Sequence, residues 1–171
     1  MRYLLVAVLA FCGLSVLAED LKPGLKAEFF AIDGAVEDWP TIAADKKPTV
    51  TKIDKTVNVE STQEKFDGTE LVSHFYARWT GVIKIEKDGK YKFFTNSDDG
   101  SRLFIDGKQV VDNGGLHGME EKDGEVELKA GNHEIKVEFF ENDGDHGCIA
   151  SWEPAGGAKA VIPENVLFHK E

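Results

Sequence analysis

Cysteine is almost missing from this sequence. Of the two present, Cys12 lies in an apolar amino-terminal stretch and Cys148 in the run CIASW. If the first leaves with a leader, no intrachain disulfide can form, and no Cys-rich zinc pattern exists in any case. Cys148 reads as a buried small hydrophobe; exposed, it would be free to pair with another chain. Positive charge is also short. Twenty basic residues against 31 acidic ones leave a net charge of −11, which opposes nucleic-acid or anionic-membrane binding, since both need a basic surface. Long apolar runs are missing beyond residue 18, so the remainder holds no membrane-span candidate. A nucleophile elbow, an HExxH pair and a phosphate-binding glycine loop are missing too. These absences favour binding over catalysis.

What is present begins with a leader pattern. Arg2, the apolar run at residues 4–11, and Val16-Leu17-Ala18 ahead of Glu19-Asp20 form a secretory signal peptide over residues 1–18. Phe11 is bulky where a lipidated Cys12 would want a small neighbour, so secretion without lipidation is expected. The expected location is therefore secreted, periplasmic or cell envelope. Removal leaves about 153 residues, enough for one domain with a proper core. Residues 19–23 read as a polar lead-in and 24–171 as a single domain.

The domain shows alternation in many short pieces. Leu25, Ala27 and Phe29 alternate, then Phe75, Ala77, Trp79, Ile83 and Ile85, then Ile135, Val137 and Phe139. Gly81 interrupts the second series and marks a bend or a close backbone approach. Residues 50–53, 56–59, 91–96, 102–105, 108–112, 125–128 and 148–152 read as further strands. Asp88-Gly89, Asp106-Gly107 and Asp123-Gly124 read as turns, and residues 61–70 and 113–118 as loops. No convincing long helix is present. Turn signals every eight to twelve residues predict an antiparallel all-β sandwich or barrel.

Residues 91–107, YKFFTNSDDGSRLFIDG, centre on the turn Ser97-Asp98-Asp99-Gly100-Ser101. Adjacent strand residues point to opposite faces, so Asp98 and Asp99 can aim at one ligand only across a kinked backbone. Gly100 offers such a kink through positive φ. Two carboxylates forced together raise a pKa or call for a cation, and calcium suits a flexible oxygen-rich loop. Ordinary turn capping is the alternative for Asp-Asp-Gly. As glycosidase carboxylates the pair has the wrong geometry, because that chemistry needs groups roughly 5–10 Å apart across a cleft. Asp143 and Asp145 are spaced as in calcium loops, but Pro154 stands where a twelve-residue loop needs Glu. His117 and Glu120 alone do not make a zinc site.

The segments GLKAEFF, YARWTGVIKIEKDGKYKFFTNSDDGSRLFIDGKQVVDN, LKAGNHEIKVEFFE and IASWEP, in that order, resemble the protective-antigen 14-kDa (PA-14) domain family. The likeness runs from about residue 24 to the C-terminus and is weakest over 31–70. It implies an all-β, antiparallel β-sandwich with a barrel-like shape and a lectin-like role in carbohydrate recognition or adhesion. The implied partner is a glycan or cell-surface carbohydrate. In yeast adhesins of the family, adjacent aspartates joined by a cis peptide hold a calcium ion that also takes sugar hydroxyls; Asp98 and Asp99 match them. Those adhesins add an asparagine and backbone carbonyls from a later loop. Here Asn142, Asp143 and Asp145 in ENDGDHG come first as further ligands, and Asn113 in DNGGLHG second. Calcium is thus the expected cofactor, and no catalytic residue is expected. The alternative is a structural or protein-interaction module of the cell envelope, with other envelope proteins as partners.

Overall fold

The computed structural model describes residues 20–171; the expected leader lies outside the described residues. The chain folds into two antiparallel sheets. The larger contains β1 (Leu21–Pro23), β2 (Leu25–Ala31), β3 (Val50–Asp54), β5 (Phe75–Ile85), β7 (Ser101–Ile105), β8 (Lys108–Asn113), β10 (Gly131–Glu141) and β13 (Leu167–Lys170). Its order is β1-β13-β5-β10-β7-β8, with β2 also on β5 and β3 on β2. The smaller contains β4 (Asn58–Thr62), β6 (Gly89–Asp98), β9 (Glu120–Leu128), β11 (His146–Glu153) and β12 (Ala160–Val161), in the order β12-β11-β6-β9 with β4 also on β11. A single 3-10 turn, Glu164–Val166, precedes β13. The expected sandwich is found, and its two sheets stay separate rather than closing into a barrel.

Alternation decides what each strand buries. On β5 and β10 the residues Phe75, Ala77, Trp79, Ile83, Ile135, Val137 and Phe139 face inward and are almost fully buried. Each large side chain so buried contributes about 1.5–3 kcal/mol. On β6 the inward set is Tyr91, Phe93, Thr95 and Ser97, and on β7 it is Ile105, Leu103 and Ser101, all buried. On β6 and β7 the inward side chains therefore run from apolar to polar towards the turn between them, while Phe75 of β5 and Phe139 of β10 keep aromatic rings at that end. A second small cluster, Phe30, Val36, Tyr76 and Phe140 with Ile32, Trp39 and Ile42 against it, covers the outer side of the larger sheet at that same end.

Three sequence readings are corrected. Residues 21–23 are not a lead-in but strand β1, paired with β13, because the first and last of the described residues run side by side there. The supposed loop at 61–70 begins inside β4. Asp123-Gly124 is not a turn: it lies within β9, where a Cβ on Gly124 would come 1.8 Å from the Val110 carbonyl oxygen of β8. Glycine is there because strands of the two sheets nearly touch.

Candidate metal centre

The turn between β6 and β7 is where the two sheets exchange a strand. Asp98 ends β6 and is still in register with Gly147 of β11. Ser101 opens β7, in register with Phe139 of β10. The peptide bond between Asp98 and Asp99 is cis. Gly100 does not take the positive φ expected of it. What it supplies is room, since a Cβ there would lie 2.4 Å from Cε1 of Phe140.

Asp99 is buried and Asp98 half-buried. Asp99 ties two loops to the turn: its Oδ1 accepts the His117 backbone N–H at 3.0 Å, and its Oδ2 accepts that of Asn142 at 2.9 Å. The Asp99 N–H donates to Oε2 of Glu141 at 3.1 Å. Carboxylate oxygens of Asp98, Asp99 and Glu141 all lie within 4.8 Å of one another. Among the described residues no Lys or Arg forms an ion pair with any of the three, and Asp98 makes no side-chain hydrogen bond.

Glu141 is the residue that sequence reasoning missed. It is fully buried, and its Oε1 has no hydrogen-bond partner. It was legible in principle: the inward series Ile135, Val137, Phe139 continues by the same step to Glu141. A carboxylate at an inward strand position is a stronger signal than one in a loop, because burial penalises its charge unless something compensates. Burial, followed by the charges of Asp99, Asp98 and Asp143, pushes the Glu141 carboxyl up to about 8, against the lowering effect of the Asp99 N–H. Burial and the charges of Asp99 and Asp145 likewise raise Asp98, while His117 pulls the other way. The trio is a charge-dense oxygen cluster whose repulsion a cation, or a proton on Glu141, relieves.

The other expected ligands fall around this trio. The Asn142 side-chain oxygen accepts the Val36 N–H at 2.8 Å, holding the loop after β2. Its carbonyl accepts the His74 N–H at 2.9 Å. Asp143 and Asp145 are exposed outside the trio, and Asp145 accepts a hydrogen bond from Gln63. Asn113 is buried beneath the turn, donating to Ser97 Oγ at 3.2 Å and to the Glu120 carbonyl at 2.8 Å. Its Oδ1 is a second buried oxygen without a partner. Oxygen-only donors, three of them carboxylates, fit a hard cation and not a soft one. Asp98, Asp99 and Glu141 could therefore hold a metal ion. Above them the loop at 113–118 presents Leu116 half-exposed to solvent.

A family model described as "PA14 domain" matches residues 21–165. Anti-sigma-I factor RsgI3 of Acetivibrio thermocellus is 31% identical over 110 residues, 64% of this chain and 17% of that protein. The chain thus spans less than a fifth of that curated relative. Among solved structures, the PA14 sugar-binding domain of an RTX adhesin superposes with a TM-score of 0.76 at 20% identity, covering 86% of this chain and 98% of that one. The epithelial adhesin 9 A domain of Candida glabrata, solved with Galβ1-4GlcNAc, gives 0.68 at 12% identity, covering 88% and 91%. At these identities the structural likenesses show the shared fold.

Proposed function

The chain belongs to the PA14 domain family, and from that membership we propose that it is a calcium-dependent carbohydrate-binding module of the secreted or cell-envelope compartment, without catalytic activity. The observation that carries the reading is Glu141: a fully buried carboxylate with an unpartnered oxygen, packed against Asp98 and Asp99. Three carboxylates offer too few oxygens to complete a calcium shell of six to eight. The remaining positions suit water and a vicinal pair of sugar hydroxyls. Asp98 is the outward member and faces such a ligand; Asp99 and Glu141 hold the ion from below. The sugar-binding RTX adhesin domain and the disaccharide-bound Candida domain support a glycan as ligand. The leader pattern at residues 1–18 supports export.

Calorimetric titration of calcium into chelator-stripped protein tests the first half. Wild type is expected to bind one ion, and Glu141→Gln and Asp98→Asn/Asp99→Asn to lose it. Galβ1-4GlcNAc and an array of related glycans, applied with calcium and with chelator, test the second. Calcium binding that survives both substitutions would place the ion elsewhere. A second reading, recognition of a protein partner, is favoured by the anti-sigma factor relative. It predicts capture of a protein indifferent to chelator and sugar.

A further inference from the structure

Residues 32–49, between β2 and β3, cross the outer side of the larger sheet as a strap. Its two ends are pinned at Ala31: Thr49 Oγ1 accepts the Ala31 N–H at 3.0 Å, and Lys46 Nζ donates to the Ala31 carbonyl at 2.7 Å. Val36 is its buried plug, packed with Phe30, Tyr76 and Phe140, and Ile32, Trp39 and Ile42 lie against the same cluster. Trp39 meets the Phe140 ring edge-on at 4.9 Å and takes the Arg102 guanidinium 4.1 Å from its own ring centroid. Apolar burial and a cation–π contact therefore hold the strap in place.

The strap reaches the cation centre through Asn142. Asn142 Oδ1 accepts the Val36 N–H at 2.8 Å, and the Asn142 N–H donates to Asp99 Oδ2 at 2.9 Å. The Asn142 carbonyl accepts the His74 N–H at 2.9 Å, and the His74 carbonyl accepts the Ile32 N–H at 2.8 Å, where the strap begins. One residue thus joins the acidic turn, the strap and the approach to β5. Trp39 touches the other loop that Asp99 holds: its Nε1 lies 3.0 Å from where a Cβ on Gly114 would stand, at the start of the 113–118 loop. The Phe140 ring beneath Trp39 fills the space over Gly100, and the Phe140 N–H donates to the Gly100 carbonyl at 2.9 Å. Asp99 takes one N–H from each loop, His117 and Asn142, and the strap braces the same two loops from outside.

We propose that Asn142 is a positioning residue of the cation centre, acting through Asp99 and Glu141, and that the strap is what holds it. The inference rests on the calcium reading above and adds that affinity depends on Asn142 and Trp39, neither of them a ligand. With Oδ1 committed to the Val36 N–H, Asn142 fixes the direction of its own N–H, and with it the Asp99 carboxylate. Glu141 precedes Asn142 in the chain and keeps its place by the same anchor. Carboxylates that repel one another stay at ligand spacing only if the surrounding structure holds them there. Groups that orient ligands in this way change metal affinity by roughly tenfold to a hundredfold. The coupling is reciprocal: whatever the strap adds to calcium affinity, calcium adds to the anchoring of the strap.

The test is calcium titration into wild type, Asn142→Ala, Trp39→Leu and the double variant, with amide exchange at Val36 followed in calcium and in chelator. Asn142→Ala weakens calcium binding by roughly tenfold to a hundredfold, and Trp39→Leu by about two- to thirtyfold. In the Asn142→Ala background Trp39→Leu costs little more, because the bond through which it acts is already gone. Asn142→Asp keeps an acceptor for the Val36 N–H and retains binding. Calcium slows exchange of the Val36 amide in wild type, an effect that a purely structural strap would not show. Should Asn142→Ala fail to fold, Trp39→Leu and the Val36 amide decide. Wild-type affinity in Trp39→Leu, or a Val36 amide indifferent to calcium, overturns the inference, and a loss confined to Asn142→Ala would make Asn142 a ligand instead. Absence of calcium binding by wild type overturns this inference together with the reading it rests on; binding by wild type with unchanged affinity in Asn142→Ala overturns this inference alone.

Discussion

Asp99 accepts backbone N–H groups from two loops, at 3.0 Å from His117 and 2.9 Å from Asn142, whereas no side-chain bond reaches Asp98. Removing acceptors from buried donors costs about 1–3 kcal/mol per donor left unpaired. In chelator, Asp99→Ala is therefore expected to lower stability by about 2–4 kcal/mol, and Asp98→Ala by less than about 0.5 kcal/mol. Denaturant unfolding of both variants measures the difference; equal losses would mean that Asp99 does not hold the loops. Glu141→Gln goes the other way. Its amide can still accept the Asp99 N–H and can donate to the neighbouring carboxylates, so metal-free stability rises by about 1–3 kcal/mol. The stabilisation expected of calcium in the wild type should disappear in the same variant. One thermal melt with and without calcium reads both signs.

At the level of strands, the sequence pattern was readable wherever alternation was long. Ile135, Val137 and Phe139 defined β10, and Phe75, Ala77, Trp79, Ile83 and Ile85 defined β5, because a half-buried strand cannot hide its two-residue period. Gly124 was misread because Asp-Gly is a turn signal locally, while the reason for this glycine is a contact with Val110 on another strand. The later-loop residues Asn142, Asp143 and Asp145 enter as ligands through the resemblance alone, because loops carry no period to say which way a side chain points. Gly124→Ala should separate β8 from β9 and cost about 1–3 kcal/mol by calorimetric melting; a neutral result would show that the strands part easily. At the start of β10, His133 Nδ1 lies 2.6 Å from Asp106 Oδ2, and Nε2 lies 2.9 Å from the Lys129 carbonyl. Burial alone would lower this imidazole, but Asp106 and the carbonyl hold it above its ordinary value. A raised value means the folded state binds the proton more tightly. The stabilisation is thus full at roughly pH 6 and below, and fades as pH rises through the folded value. The stability difference between wild type and His133→Gln should shrink accordingly; a difference that stays flat with pH would remove the ion pair from the account.

Across the whole sandwich the interior changes character along one axis. At one end Ile85, Tyr91, Leu128 and Ile105 fill the space between sheets; at the other, Ser97, Ser101, Asn113, Glu141 and His146 are buried together. Side-chain oxygens of Asn113 and Glu141 lack partners there. Phe66 and Phe75 pack around His146 at this end, but its carboxylates repel. Without a cation it is expected to open locally at lower free energy than the rest of the fold. Amide exchange in chelator should therefore be faster at Ser97, Ser101 and Glu141 than at Phe93, Leu103 and Val137 on the same three strands. Calcium should slow the first group by as much as its binding free energy allows, up to about 2.7 kcal/mol at a hundredfold excess over Kd, and leave the second group nearly unchanged until global unfolding limits both. Uniform protection along each strand in chelator would mean that the polar end is as firmly held as the apolar one, and that the carboxylate trio is stable without an ion.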